Sequence, residues 1–194
     1  MPFFIRGILM EPATGAACIN LLAVIDTSHV KSAYPNPSQD DKHPTGIAPG
    51  AVFMICPGWR DDAPEQETDE PSVEIGHGSR VALRGVSITN NSDDAVIVYA
   101  VDTRNGEEAQ ASKRFKPVVI TLEEAVQPDP DSTNGGIPPV HVETNFSSLN
   151  SRFIARASRV LNADFALYTL AEDGQSQQLF GYYCWKFRVR CEQL

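Results

Sequence analysis

The side chains that could do chemistry are few and widely separated along this chain. Its histidines stand in polar or turn contexts, at His29, His43, His77 and His141. None shows the H-E-x-x-H or H-x-x-x-H spacing that places two imidazoles on one face of a helix to hold a metal. The G-x-S-x-G turn that exposes a nucleophilic serine is also missing. We therefore predict no catalytic residue, no metal site, no cofactor and no enzymatic activity.

A run of carboxylates is the nearest approach to a cation site. Six acidic side chains lie between residues 61 and 70, and Ca²⁺ prefers several oxygen ligands. The run lacks the D-x-[DN]-x-[DN]-G spacing of a calcium loop. A solvated loop is the interpretation that we adopt for it.

Binding of a small ligand or a carbohydrate needs exposed aromatic rings beside hydrogen-bonding groups. Trp59 follows Pro57-Gly58 and precedes charged residues, and Tyr34 and Asn36 lie in a proline-rich loop. A loop tryptophan can equally cover the core. The location of that proline-rich loop decides between two hypotheses: a cavity shared with Trp59 or Trp185 favours binding, whereas a subunit interface favours assembly.

The elements that must position these residues are predicted from apolar runs between turns. Residues 18–25 and 51–56 are continuous apolar runs typical of buried strands, and residues 27–33 are predicted to form a short helical turn capped by Thr27 or Ser28. Further strands are predicted at 73–75, 80–88, 95–101, 114–122, 140–146, 151–160, 165–170 and 178–191, with a helix as the alternative at 151–160 and breaks at Asn162 and Asp164. Turns are predicted at 76–78, 90–93, 105–106 and 173–174, and a loop at 123–139.

This pattern predicts an all-β fold over a single domain of residues 1–194. We expect an antiparallel β-sandwich, Ig-like or jelly-roll-like, with at most one or two short helices. On the last strand Gly181, Tyr183, Trp185, Phe187 and Val189 should share the face that packs in the core. The other strands alternate too weakly for a sheet with one wet face, so loops or a partner subunit should cover some second faces.

Charge and composition narrow the partners and the compartment. The chain carries 16 basic and 25 acidic residues, a net charge of −9, which disfavours nucleic acid. No window approaches the roughly 18 apolar residues of a membrane span, and no export signal is recognised. The four cysteines form no C-x-x-C pair. Buried thiols are the favoured interpretation, with a disulfide from Cys18 or Cys56 left open, and we expect a cytoplasmic protein.

Three segments, in order and spacing, resemble the PixA/AidA inclusion-body protein family. They are residues 24–45 with the motif Tyr34-Pro35-Asn36-Pro37-Ser38, residues 76–87 with the strand that follows, and residues 179–185 ending in Trp185. The resemblance spans about residues 17–191. The chain departs from the family pattern at Ser79, Leu83 and Lys186-Phe187, which indicates a divergent member.

The resemblance implies a small intracellular protein acting in a quorum-sensing, stationary-phase or host-interaction setting, with no catalytic residues to carry over. The leading hypothesis is therefore a non-enzymatic protein that self-associates into a homodimer or a larger assembly. The alternative is a carbohydrate or small-ligand binding module using Asp26, Tyr34, Asn36, Trp59 and Trp185. A hydrolase assembled from distant loops is the third hypothesis.

Overall fold

The computed structural model describes residues 18–56, 72–75, 78–103, 115–152 and 159–190, and in these ranges the chain is mostly β-strand. The elements in chain order are β1 (Cys18–Ile25), α1 (Thr27–Ala33), β2 (Thr45–Gly46), a 3₁₀ turn (Pro49–Ala51), β3 (Val52–Ile55), β4 (Ser72–Glu74), β5 (Arg80–Ser87), β6 (Asp94–Asp102), β7 (Lys116–Gln127), β8 (Val140–Arg152), β9 (Arg159–Leu170) and β10 (Gln177–Arg190). The all-β fold class is confirmed.

The strands form two sheets that enclose one apolar core. Sheet A has the order β3-β1-β5-β8-β7, and sheet B has the order β2-β10-β9-β6 with β4 beside β10. Neighbouring strands are mostly antiparallel, but β1 runs parallel to β5, and β10 runs parallel to both β2 and β4. These parallel pairings join segments that are distant in sequence.

The core is built from the inward faces of both sheets. On β10, Tyr183, Trp185, Phe187 and Val189 are all buried, as the period of two predicts. The Tyr183 ring stacks on that of Phe165 of β9 with centroids 5.5 Å apart, and the Trp185 ring meets Phe165 edge-on at 5.6 Å. Sheet A contributes the alternate residues of β1 and β5, including Leu21, Ala23, Ile25, Val81 and Leu83.

The helix α1 has the predicted bounds, but its N-cap differs from the prediction. The cap predicted at Thr27 or Ser28 is wrong, because Asp26 is the N-cap and its Oδ1 accepts a hydrogen bond from the His29 amide at 2.9 Å. Thr27 lies inside the first turn and is buried. A carboxylate reaches the amide three residues on as readily as a hydroxyl does.

The predicted break at Asn162 and Asp164 is also wrong. Strand β9 runs through both residues, and both are buried. They lie on the outward face of sheet B, in register with Lys186 and Cys184 of β10. A loop of the same chain packs on this face, so polar side chains that looked like turn formers are enclosed by tertiary structure.

Strands β7 and β8 form a longer hairpin than predicted. β7 continues through Gln127, with a bulge between Leu122 and Ala125 that accommodates Glu123 and Glu124, and β8 runs from Val140 to Arg152. The connecting loop therefore shrinks from residues 123–139 to residues 128–139. In the sequence these acidic residues favour a loop, but in the structure they lie in an exposed strand.

Several predictions fall outside the described residues, among them Trp59, the acidic run at 61–70, the turn at 105–106, most of 151–160, and Cys191. The cysteines within the described ranges, Cys18, Cys56 and Cys184, are thiols. The expected burial holds for Cys184, whereas Cys56 is half-buried and Cys18 is exposed. No helix in the described part of the chain is long and apolar enough to cross a bilayer.

Candidate functional site

The proline-rich segment 34–38, here called the strap, packs on β10 of its own chain. The Tyr182 amide donates to the Ser38 carbonyl at 2.9 Å. Gly181 makes the approach possible, because a Cβ there would lie 2.5 Å from Pro37 Cβ and 3.1 Å from the Ser38 carbonyl oxygen. Each proline removes a backbone donor and restricts its predecessor to extended geometry, which suits a segment that pairs with the sheet only through the single bridge between Ser38 and Tyr182.

Tyr34 fastens the start of the strap to the core. Its hydroxyl accepts a hydrogen bond from the Ala48 amide at 2.9 Å, and its carbonyl accepts one from the Tyr183 hydroxyl at 2.8 Å. Burial raises the pKa of Tyr183 to about 12, so this phenol stays protonated and donates throughout the physiological range. Tyr34 thus acts as a structural anchor in this fold.

The other predicted ligand-binding residues lie in separate environments. Asp26 caps α1 with its carboxylate, and Asn36 is exposed on the strap. Trp185 is completely buried within the core. Trp59 lies outside the described residues. The structure does not bring Asp26, Tyr34, Asn36 and Trp185 to one cavity that it describes, and their role in binding stays a prediction.

An open cleft of about 710 Å³ lies beside the strap, where residues 41–44 pass over sheet B. Its lining consists of Asp41, Lys42, His43, Pro44, Tyr99, Ala100, Asp102 and Asp164. The Tyr99 hydroxyl donates to the Asp41 carbonyl at 2.7 Å, and the Tyr99 ring meets that of Tyr182 edge-on at 5.8 Å. An aromatic wall facing carboxylates is typical of sites that hold polar, hydroxyl-rich ligands.

The ionisable groups at the mouth of the cleft form a local pair. His43 Nδ1 lies 2.7 Å from Asp40 Oδ2, and this hydrogen bond, followed by one from the Lys42 amide, lowers the pKa of Asp40. The nearby Ser38 hydroxyl donates to the Asp40 carbonyl at 3.2 Å. Within the described ranges, no group of three or more His, Cys, Asp or Glu side chains has an arrangement that could hold a metal ion.

The sequence interpretation missed Tyr99, Asp102 and Asp164 as members of this cleft. A signal existed for Asp164, because a charged residue between Ala163 and Phe165 in an apolar run is unusual unless the strand face is covered by other polar groups. No local signal marked the other two residues. Their position depends on the loop at 41–44, which comes some 60 residues earlier in the chain.

A second candidate surface is the outward face of sheet A. Val24 lies opposite Phe53 on one side and opposite Val86 on the other, and Leu22 lies opposite Ile55. Residues opposite each other across a ladder share a face. This face points away from the core, because the alternate residues of β1 are the buried ones. We call Leu22, Val24, Phe53, Ile55 and Val86 the outer patch.

The outer patch is apolar and accessible. Phe53 is 59 % exposed and Ile55 is 55 % exposed, while the other three side chains are half-buried. At its border Arg84 donates a hydrogen bond to Asn20 Oδ1 at 2.7 Å. An apolar centre with a polar rim is the usual composition of a surface that meets another protein.

The comparisons with known proteins identify the family. The model of the PixA inclusion body protein family matches residues 17–191. The chain belongs to the PixA family. A crystal structure of a PixA inclusion body protein from Burkholderia cenocepacia J2315 superposes with a TM-score of 0.64 at 27 % identity, over 94 % of this chain and 100 % of that one. The predicted kinship is confirmed.

Other comparisons add no functional information. The multicopper oxidase Fet3p aligns over 89 % of this chain and 28 % of its own, with 10 % identity and a TM-score of 0.25, which is too low to support an argument. No curated protein matches the chain. The PixA relationship therefore stands on the family model and on the full-length structural match.

The fold explains why two of the family-like segments occur together. The motif at residues 34–38 and the motif at residues 179–185 are separate in sequence but are in contact in the structure, where Pro37 lies on Gly181 and Ser38 bonds to Tyr182. Their joint presence in this PixA protein therefore has a structural cause, which is the attachment of the strap to β10.

Proposed function

We propose that this protein is a non-enzymatic, cytoplasmic PixA family member that self-associates, in a quorum-sensing, stationary-phase or host-interaction setting. The observation that carries self-association is the outer patch on sheet A. Burial of apolar surface contributes about 25 cal/mol per Å², so exposed rings and aliphatic chains favour association. The family description as inclusion body proteins agrees with this proposal.

Sedimentation velocity over a range of micromolar concentrations tests the proposal. We expect wild-type protein to sediment as a dimer or larger species, and Phe53→Asp to weaken association by about 100-fold or more, because a charge would be buried in an apolar contact. Ile97→Asp is the matched control, since Ile97 is also 55 % exposed but lies on β6 in sheet B. A wild-type protein that stays monomeric at every concentration contradicts the proposal.

A second candidate function, binding of a neutral carbohydrate, is favoured by the cleft beside the strap. Its volume suits a mono- or disaccharide, and the carboxylate of Asp102 can accept hydrogen bonds from sugar hydroxyls. In a thermal-shift screen against such sugars, we expect a ligand to stabilise the wild type and Glu172→Gln, an exposed control, but not Asp102→Asn. A screen in which no sugar stabilises the wild type counts against this function.

A further inference from the structure

The hairpin of β7 and β8 projects beyond the sheet that holds its base. The pairing of β8 with β5 ends at Leu149 opposite Leu83, whereas the pairing of β7 with β8 continues to Gln127 opposite Val140. Residues 118–148, here called the arm, are therefore a two-stranded ribbon without a third strand along most of its length. Such ribbons are marginally stable alone in water and normally need a surface to pack against.

The arm has one apolar face and one polar face. Cross-strand register and alternation place Val118, Ile120, Leu122, Ala125, Val140, Val142 and Phe146 on the first face, together with the uncharged polar residues Gln127, Thr144 and Ser148. The opposite face carries mainly polar and charged groups, including Thr121, His141, Glu143 and Asn145, with Val119 and Val126 as its exposed aliphatic residues. The apolar face contains no charged side chain, as expected of a face that packs against another protein surface.

The apolar face of the arm points the same way as the outer patch. At the base of the hairpin Leu149 lies opposite Leu83, and both are buried in the core, so the neighbouring positions on β8 point outward. Residues on the same face of one sheet lie side by side and cannot cover each other. The arm therefore cannot cover the outer patch of its own chain, whereas a second copy placed face to face can do so.

The exposed apolar area reaches that of a stable interface only when the arm and the outer patch are buried together. Ile120, Leu122, Val142 and Phe146 are 42–49 % exposed, and with Phe53 and Ile55 they present on the order of 500 Å² of apolar surface. A stable interface buries about 800 Å² per partner, of which about 60 % is apolar. Neither surface alone reaches that amount.

We propose that the arm of one copy packs its apolar face on the outer patch of a second copy, and that the second copy reciprocates. This inference rests on the proposed self-association and specifies its geometry. The apolar face of the arm carries no charged side chain, and the outer patch has one charged neighbour, Arg84 opposite Leu22, which bonds to Asn20 at the edge. The contact therefore leaves that charge at its rim and buries none unpaired, although each copy carries a net charge of −9. A two-fold arrangement satisfies both contacts at once.

Two adjacent substitutions on β7 test the role of the apolar face. Ile120 is 49 % exposed on that face, and Val119 is 61 % exposed on the other. In sedimentation velocity, Ile120→Asp should weaken association by about 100-fold, and Val119→Asp should behave as the wild type. Circular dichroism and a cooperative thermal transition check folding, and Leu122→Ser replaces Ile120→Asp if that variant does not fold.

Mixing two association-deficient variants tests the pairing of arm with patch. Ile120→Asp keeps an intact outer patch, and Phe53→Asp keeps an intact arm. Each alone should be monomeric, whereas an equimolar mixture should form a heterodimer through one intact contact, weaker than the wild-type dimer. Recovery of association in the mixture supports the inference.

Other outcomes overturn the inference and are distinguishable from failure of self-association itself. If the wild type associates and Ile120→Asp associates equally well, the contact is between outer patches, and only the arm inference is lost. If folded Val119→Asp and Ile120→Asp both fail to associate, β7 pairs edge to edge instead. If both variants and their mixture stay monomeric, arms meet arms and outer patches meet outer patches. A monomeric wild type removes the proposed function as well.

Discussion

Replacement of Gly181 by alanine should destabilise the protein by about 2–3 kcal/mol, since overpacking a close contact costs this much when the neighbours cannot move. The new methyl group would overlap the ring of Pro37, and a proline ring has no alternative rotamer through which to retreat. The strap is also held on both sides of this point, by Tyr34 and by Ser38. Urea unfolding at neutral pH measures the change in free energy of unfolding.

Gly46→Ala is the matched control for this experiment. Gly46 lies on β2, which pairs with β10, the strand that holds Gly181, and it is in register with Cys184. A Cβ at Gly46 would have no neighbour within 4 Å. We expect it to change stability by less than about 0.5 kcal/mol. In the double variant Pro37→Gly with Gly181→Ala the overlap disappears, so the effect of the alanine should shrink. Equal costs with and without Pro37 would contradict the strap contact.

The strap contact also shows which parts of this fold the sequence could predict. The strand at residues 18–25 was predicted with its observed bounds, because an unbroken apolar run ends at an aspartate. The faces of β10 were predicted because alternation along one strand is a local property. The strap was recognised as irregular from its prolines, but its position on Gly181 depends on a contact across some 140 residues.

The errors have a common physical origin in tertiary contacts. Asn162 and Asp164 were interpreted as a break because polar residues favour turns when nothing covers them, and here the loop at 41–44 covers Asp164. Pairing with β8 extends β7 through Glu123 and Glu124. The strand propensity of these two residues alone does not predict that pairing. The parallel pairing of β1 with β5 has no short-range signature at all.

The candidate sites were less predictable than the fold. Trp185 is completely buried, as the alternation along β10 predicts. The weak alternation of the buried strands predicted second faces covered by loops or a partner subunit. Strand β9 is buried on both faces from Leu161 to Leu167, whereas the outward face of β3 is exposed. The projecting hairpin of β7 and β8 emerges only from its cross-strand register.

Replacement of Lys31 by methionine should lower stability by about 2 kcal/mol at pH 7, because it leaves a buried carboxylate without its cation. Lys31 Nζ lies 2.7 Å from Asp94 Oδ1 and joins α1 to β6, and the Asp94 side chain is only 6 % exposed. Burial opposes ionisation of Asp94, but the hydrogen bond and charge of Lys31 outweigh it, so the pKa of Asp94 is lowered below its ordinary value of 3.8.

The sign of this shift predicts the pH dependence of the Lys31→Met effect. A lowered pKa contributes stability above the unfolded value of about 3.9, and that contribution is lost as the pH falls through the folded pKa. In Lys31→Met the effect of burial is opposed only by the Thr27 and Thr169 hydroxyls, so the pKa of Asp94 should rise and the carboxylate should destabilise the fold at neutral pH. The difference between the two proteins in the free energy of unfolding by urea should thus be largest at pH 7 and small at pH 3.

Lys186→Met, on the exposed side of β10, should show no such dependence. An equal loss at both pH values would instead assign the effect to packing of the lysine stem.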